Sequence, residues 1–418
     1  MKRLLLILVL AFSTLSLSAQ DTLRFMTYNV LRYGSNNQFC DVSCKDQQLE
    51  RIIDYTNPDV LCVQEIIENE VYATRILNNV LNSDGSDRFE RVTMVEQTNS
   101  SITNMLFYDK NKLTFDAIDV LNTSPRSTQI YTFYYNDANL AAGDTTFFRI
   151  VAVHLKAGQS NSDEQDRTTQ VNAIMNHFVA EPTITNAFIM GDFNIYESTE
   201  AAYGAMLNPT SAIIGFNDPI NRPGDWTSSS FSDIHTQSTR TDQESDGGSS
   251  GGSDNRFDFI LISDVVETGT EGIEYVNGTY TTVGQDGSFY NGTVTSSTAV
   301  PSTVAAALYN MSDHLPVYAD FAFTDVTPVS RTETQSLAEL RLLGNPVNDE
   351  LRVLADISGV KSLSFSVMDY TGRKLMTEGF TQSGELYRMD VSHLSAGIYI
   401  LNVRTESGAT RSVRFIKS

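Results

Sequence analysis

The sequence predicts an α/β body of mixed sheets flanked by helices, followed by a small β-sandwich. Three observations carry that expectation. Short apolar runs rich in β-branched and aromatic residues alternate with helix-period segments up to Phe323. Residues 339–418 hold only short strand candidates separated by Gly, Asp and Ser turns. Charge is also divided unevenly: residues 326–418 carry 11 Lys and Arg against 10 Asp and Glu, whereas residues 20–325 carry 16 against 41, a net of −25. The whole chain of 418 residues stands at −22 with 41% hydrophobic content, which excludes collagen-like, coiled-coil and wholly disordered classes. Three Cys supply neither a disulfide-dense scaffold nor a zinc cluster.

Lys2 and Arg3 precede an apolar run from Leu4 to Phe12 and small residues ending at Ala19, so residues 1–19 read as a secretory signal peptide. The run is too short to span about 30 Å of hydrocarbon, and no later stretch is long enough, so the mature chain is expected to be exported without a transmembrane segment. In an oxidising compartment Cys40 and Cys44 are placed to pair across a tiny loop, while Cys62, inside Val60–Val63, reads as a small buried hydrophobe.

The body then opens with a strand over Leu23 to Val30 and a helix marked by Leu49, Ile52 and Ile53, which Asn57-Pro58 stops. Val60 to Val63, Ile130 to Tyr135, Phe147 to Leu155, Ala187 to Met190, Phe257 to Ile262 and Val317 to Phe323 are strand candidates. Val171, Ile174, Met175 and Phe178 recur at helical spacing between two of them. Thr239 to Asn255 is a Gly/Ser/Asp loop, read first as a flexible insertion and second as a loop closing beside a site, since it leads into Arg256. The boundaries are therefore body 20–325, linker 326–338 and tail 339–418, the tail with strands at Leu351–Leu354, Leu363–Met368, Tyr399–Val403 and Val413–Ile416.

Several strands end in the same kind of residue. Asn29, Glu65, His154, Asp192 with Asn194, and Asp313-His314 each adjoin an apolar run. Singly, each is a turn former, a helix-start acid or a core histidine. Together on one rim, the carboxylates would raise each other's pKa unless a cation neutralised them. Carboxylates and amides are hard oxygen donors, which suit Mg²⁺, Mn²⁺ or Ca²⁺ and argue against zinc. Two histidines beside such a cation supply the base and the donor that phosphate ester hydrolysis needs.

The motifs Met26-Thr-Tyr-Asn29-Val, Val63-Gln-Glu65, Val153-His154-Leu-Lys156, Gly191-Asp192-Phe-Asn194, Arg256-Phe-Asp258-Phe and Ser312-Asp313-His314-Leu-Pro316 occur in the order seen in the endonuclease/exonuclease/phosphatase superfamily, which residues 21–325 resemble. The resemblance implies a DNase I-like, four-layer α/β sandwich. It implies Glu65 as principal metal ligand with Asn29 and Asp313, and His314 as general base oriented by Asp258. It further implies Asp192 and Asn194 as positioners of water and phosphoryl oxygen, and His154 as donor to the scissile phosphate. Arg126 is a weaker phosphate-binding candidate, as is Lys156, which with Arg167 and Gln170 reads first as a solvated helix start. His235 is a minor rim candidate, and His177 and His393 read as structural.

Gly344-Asn345-Pro346, Asp369-Tyr-Thr-Gly372, Leu394-Ser-Ala-Gly397-Ile-Tyr399 and Val413-Arg-Phe-Ile-Lys417 resemble the C-terminal sorting domain of the type IX secretion system. That implies a Bacteroidetes-type bacterium, an encounter of residues 339–418 with the secretion machinery, and release or surface attachment by way of the periplasm. The expected activity is an exported, metal-dependent phosphodiesterase, first a nuclease. The acidic body counts against nucleic acid, whose affinity is set mostly by phosphate contacts. A small phosphoester or lipid headgroup, cut by a sphingomyelinase-like, phospholipase C-like or phosphomonoesterase activity, is the alternative. A surface binding protein without turnover is the non-enzyme rival.

Overall fold

The computed structural model describes residues 20–36, 39–97, 99–138, 140–142, 145–209, 214–325, 339–343, 346–356, 363–369, 373–376, 380–383, 386–405 and 410–418. The expected signal peptide and linker lie outside the described residues. The chain divides into two compact units, Met1–Thr327 and Pro328–Ser418.

In the first unit β1 (Gln20–Tyr33), β2 (Val60–Ile67), β3 (Phe89–Arg91) and β4 (Ile102–Asp109) come first. Next come β5 (Leu113–Leu121), β6 (Thr128–Tyr135), β7 (Phe147–His154), β8 (Ala187–Asp192), β9 (Phe216–Asn217) and β10 (Asp258–Ser263). β11 (Ile273–Tyr275), β12 (Thr281–Thr282) and β13 (Val317–Thr324) complete the set. One sheet has the order β11-β13-β1-β2-β4-β3, with β12 also on β13; the other has the order β5-β6-β7-β8-β10-β9.

The helices are α1 (Val42–Thr56), α2 (Glu70–Ile76), α3 (Asn161–Ala180), α4 (Ala201–Leu207), α5 (Asp264–Thr268) and α6 (Ser302–Met311). The Asp41 side chain caps α1 by accepting from the Cys44 N–H, and Asn57, at φ 45°, ends it in the left-handed conformation ahead of Pro58. α3 starts ten residues before its apolar stripe at Val171, because Ser160 and Asp163 form a reciprocal capping box that satisfies its first N–H groups.

The two sheets face each other through aromatic rings. Phe25 of β1 lies 5.8 Å from Phe148 and 4.9 Å from Phe188, centroid to centroid, and Phe148 lies 5.6 Å from Phe323. Each such ring contributes about 1.5–3 kcal/mol by leaving water. Leu49 and Ile52 of α1 with Leu308 and Met311 of α6 join this same core. Val171, Ile174 and Phe178 of α3 pack with Val151, Val153, Ile189 and Leu261 in a second core. The result is a helix, sheet, sheet, helix stack, a four-layer α/β sandwich. Tyr131, Phe133 and Tyr135 of β6 are buried in the first core, so the aromatic side chains of this strand fill the interior.

Register brings distant residues to one end of the stack. β1 and β2 are parallel with Asn29 opposite Gln64, and β7 and β8 are parallel with His154 opposite Asp192. β10 begins where β8 finishes, Asp258 lying opposite Asp192, and β13 starts at Val317 opposite Thr27. Parallel neighbours therefore end together, and their antiparallel neighbours begin at the same edge.

The second unit holds β14 (Glu339–Leu342), β15 (Glu350–Asp356), β16 (Leu363–Asp369), β17 (Lys374–Met376), β18 (Phe380–Ser383), β19 (Leu386–Asp390), β20 (Gly397–Thr405) and β21 (Thr410–Lys417). They form four-stranded sheets ordered β14-β15-β19-β18 and β17-β16-β20-β21, closed over Val353, Val367, Leu401 and Phe415, a small β-sandwich. Among the described residues no helix is long and apolar enough to cross a membrane.

Candidate active site

Local backbone geometry aims the side chains. β2 carries a bulge between Val63 and Ile66, and within it Glu65 adopts φ 62°. A left-handed conformation at a non-glycine costs about 1–3 kcal/mol, held here by the flanking ladder, and it lifts Glu65 out of the pleat. Beyond Asn29, Leu31 and Arg32 are likewise left-handed, at φ 43° and 49°. Lys45 of α1 satisfies the carbonyls of this bend, its Nζ donating to Val30 O and Leu31 O. Ahead of Asp192, Gly191 at φ 146° is required, since a Cβ there would stand 1.9 Å from Val153 O.

The expected residues converge on a cavity of about 540 Å³ whose lining includes Glu65, His154, Asp192, Asn194, Asp313 and His314. Asn29 and Asp258 are fully buried behind it. Asp258 Oδ2 lies 2.7 Å from His314 Nδ1, which fixes the imidazole, while Asp258 Oδ1 is buried without a partner. Ser312 stitches this motif to β1: its Oγ donates to Asn29 O at 2.7 Å and accepts from His314 N at 3.1 Å. His154 Nε2 stands 3.6 Å from Asp192 Oδ2 and 3.8 Å from Glu65 Oε1. Asn194 donates its backbone N–H to Asp192 Oδ1 at 3.0 Å and its amide to Leu155 O at 3.2 Å.

Asn29 differs from the oxygen-donor expectation. Its Nδ2 donates to Glu65 Oε1 at 3.2 Å and to Asp192 Oδ2 at 3.1 Å, because its Oδ1 accepts from the Leu31 N–H at the bend. Its nitrogen, and not its oxygen, faces the carboxylates. Arg126 donates Nε to His154 O at 3.1 Å and Nη2 to Leu155 O at 2.7 Å, bracing the β7 end with its charge beside Asp192 and Glu65. Lys156 departs from the phosphate-facing expectation: its Nζ pairs with Asp163 and Ala157 O at the start of α3. Arg167 and Gln170 also depart from a solvated helix start, since Arg167 is fully buried on Glu200 and Gln170 accepts from Lys156 N, although Asn161 and Ser162 at the first turn are exposed. His235 is buried against Ser253 O, away from the cavity lining, and His177 sits on α3.

The segment from Gln237 to Ser253 contributes what the motifs did not reveal. Gln237 Nε2 lies 3.1 Å from Asp313 Oδ2 and 2.7 Å from His314 Nε2, and the Ser249 N–H donates to Asp313 Oδ2 at 2.7 Å. A buried ion pair, Arg240 to Asp246 at 2.7 Å, anchors the loop, with Arg240 stacked over Phe39 beside the Cys40–Cys44 disulfide. This loop is packed onto the cavity, in place of the flexible insertion expected first; the only sequence signal for it was its position immediately before Arg256.

The electrostatics follow from this crowding. Burial pushes the Glu65 carboxyl up, and the Asp313 charge adds to it. Burial likewise raises Asp192 to about 7, against the pull of His314. Burial, with Arg126 and His314 nearby, holds His154 well below its usual range, so it is a neutral imidazole. For His314 burial acts downward, but Asp258, Asp313 and Asp192 outweigh it and hold the imidazole high. The Gln237 contact demands the opposite, a bare Nε2, and the geometry decides for that tautomer in the arrangement seen.

Four carboxylates, Glu65, Asp192, Asp258 and Asp313, thus outnumber the guanidinium groups nearby, Arg32 on the cavity lining and Arg126 beside Asp192 and Glu65, an excess of negative charge that a hard divalent cation would neutralise. Among the described residues no three His, Cys, Asp or Glu side chains already gather into a cage for one ion. The fit lies in donor type and charge, with Glu65 the cavity-facing carboxylate and Asp313 beside it.

A family model described as the Endonuclease/Exonuclease/phosphatase family matches residues 26–314, and one described as the Secretion system C-terminal sorting domain matches residues 344–418. Among solved structures, an endonuclease/exonuclease/phosphatase family protein from Bacteroides thetaiotaomicron is 13% identical, covering 73% of this chain and 99% of its own, with a TM-score of 0.44. The human Nocturnin catalytic domain with bound sulfate is 16% identical over 73% of this chain and 98% of its own, TM-score 0.43. TDP2 from D. rerio, complexed with a single-strand DNA product, is 13% identical over 72% and 98%, TM-score 0.46. No curated protein matches the sequence.

Proposed function

Because this chain belongs to the endonuclease/exonuclease/phosphatase family, and is therefore a phosphoester hydrolase in general terms, we propose that it is a divalent-metal-dependent phosphodiesterase that cleaves nucleic acid outside the cell. Its sorting tail supports export through the type IX system to the surface or beyond. One observation carries the catalytic reading: the His314–Asp258 contact of 2.7 Å opens onto the cavity that Glu65 and Asp192 share.

In this reading Asp258 holds His314 with Nε2 toward the cavity, where it takes a proton from water as the water oxygen bonds to phosphorus. The P–O ester bond breaks, the leaving oxygen takes a proton from solvent, and the His314 imidazolium returns the proton it took to solvent. Asp192 and Asn194 hold the water and a phosphoryl oxygen, and neutral His154 donates a hydrogen bond to the phosphate. Glu65 and Asp313 would hold Mg²⁺ or Mn²⁺, with Ca²⁺ a further candidate, and Asn29 would orient Glu65. The cation, when bound, supplies electrostatic stabilisation of charge developing on the phosphoryl oxygens.

A second reading draws support from the cavity wall. Asn99, Ser100 and Ser101 line it on one side with uncharged polar groups, and the surrounding body is at −25, which suits a small phosphoester or a lipid headgroup better than a long polyanion. The test is the purified full chain on DNA, RNA, sphingomyelin and bis-p-nitrophenyl phosphate, with chelator and then with added Mg²⁺. Chelator-sensitive cleavage of DNA or RNA is expected. Cleavage of sphingomyelin alone would transfer the assignment to the second reading, and cleavage indifferent to chelator would exclude the metal mechanism.

A further inference from the structure

Gln237 occupies the one atom of His314 that the reaction above needs free. Its amide orientation is fixed by charge: an amide oxygen 3.1 Å from Asp313 Oδ2 would repel the carboxylate, so the nitrogen stands there. That same nitrogen is 2.7 Å from His314 Nε2. Since His314 Nδ1 is engaged by Asp258, the Nε2 lone pair is the acceptor, and Gln237 fills it with an N–H.

The contact is braced from behind. Gln237 exchanges backbone hydrogen bonds with the Asp254–Asn255 segment, and Ser238 Oγ donates to Ser249 O at 2.8 Å. Gly248 is pressed against Asp313, a Cβ there standing 3.1 Å from the Asp313 Cβ. Arg240, fully buried, fastens the loop to the end of α6 by donating Nε to Tyr309 O at 2.8 Å.

We propose that Gln237 is a cap on the candidate base: its amide holds His314 Nε2 and Asp313 Oδ2 in the resting state and must withdraw before water or a phosphoryl oxygen reaches that imidazole. Withdrawal removes one of the two donors to Asp313 Oδ2 in the same movement, the Ser249 N–H keeping its own bond, so exposure of the base and loosening of a cation-facing oxygen are one event. The inference rests on the assignment of His314 as base.

The test is chemical labelling in chelator. Diethyl pyrocarbonate acylates an unprotonated, accessible imidazole nitrogen, and mass spectrometry reads the His314 peptide against the exposed His393 of the same chain as internal reference. His314 of the wild type is expected to label slowly. Gln237→Ala is expected to label about tenfold faster, the effect of one net hydrogen bond. Gln237→Asn, which keeps the amide but falls short of the imidazole, serves if the alanine variant does not fold, and is expected to behave alike. Labelling equal to wild type in the folded variant would overturn the cap. If His314→Ala retains full turnover of bis-p-nitrophenyl phosphate, the base assignment falls, while faster labelling would still place Gln237 as a shield over that ring.

Discussion

At the scale of single residues, the site is a set of groups pushed from their ordinary proton affinities by burial first and by one another second. His314 is the most exposed to test. Replacing it with alanine is expected to lower turnover of bis-p-nitrophenyl phosphate by about two to four orders of magnitude, the usual worth of a general base. The unfolding midpoint of that variant, measured alongside, separates lost chemistry from lost fold; near-normal turnover would remove His314 from the mechanism. Glu65→Gln keeps the shape and the Asn29 contact but deletes the charge. Its Mg²⁺ titration is expected to shift to higher concentration, and an unchanged titration would reassign the ligand. The motifs made most of these residues legible in the sequence. Asn29 was legible as a member of the site but not in its orientation, because the competing Leu31 N–H exists only once the chain bends left-handed after Val30.

At the scale of elements, α1 and the ends of the strands do the positioning. Lys45 of α1 is buried with its Nζ on two carbonyls, and burial lowers its pKa from 10.5 to about 8. The unfolded chain therefore binds the extra proton between those values, so this group makes stability rise with pH across that window, by up to about 1.4 kcal/mol per pH unit. Urea unfolding between pH 8 and pH 10 is expected to show a more positive slope for the wild type than for Lys45→Met; parallel slopes would contradict the burial argument. Gly191→Ala drives a methyl into Val153 O across the β7–β8 pair, and is expected to cost several kcal/mol in the same measurement. The strands and the apolar stripe of α3 were readable from period-2 and period-3.6 patterns. The packing of the 238–252 loop was not, since an Arg240–Asp246 pair leaves no periodic mark.

At the scale of the molecule, charge dominates. The region from 20 to 325 is at −25 while the tail is near neutral, so self-repulsion is concentrated in the four-layer body. Raising salt from about 10 mM to about 150 mM shortens the screening length from roughly 30 Å to 8 Å and is expected to raise the thermal midpoint of the body by a few degrees. Calorimetry in which that midpoint falls or stays fixed would show that the acidic residues are already paired locally. The two-part division was legible in this same charge break, whereas the pairing of the two sheets was not, because contacts such as Phe25 on Phe188 join residues with no local relation in the sequence. The register that draws β1, β2, β7, β8, β10 and β13 to one edge has a longer reach. The candidate residues stand on strand ends fixed by their ladders, whereas the wall at Asn99, Ser100 and Ser101 belongs to a connection between strands, so replacing that wall is expected to alter what enters the cavity while leaving the rim in place.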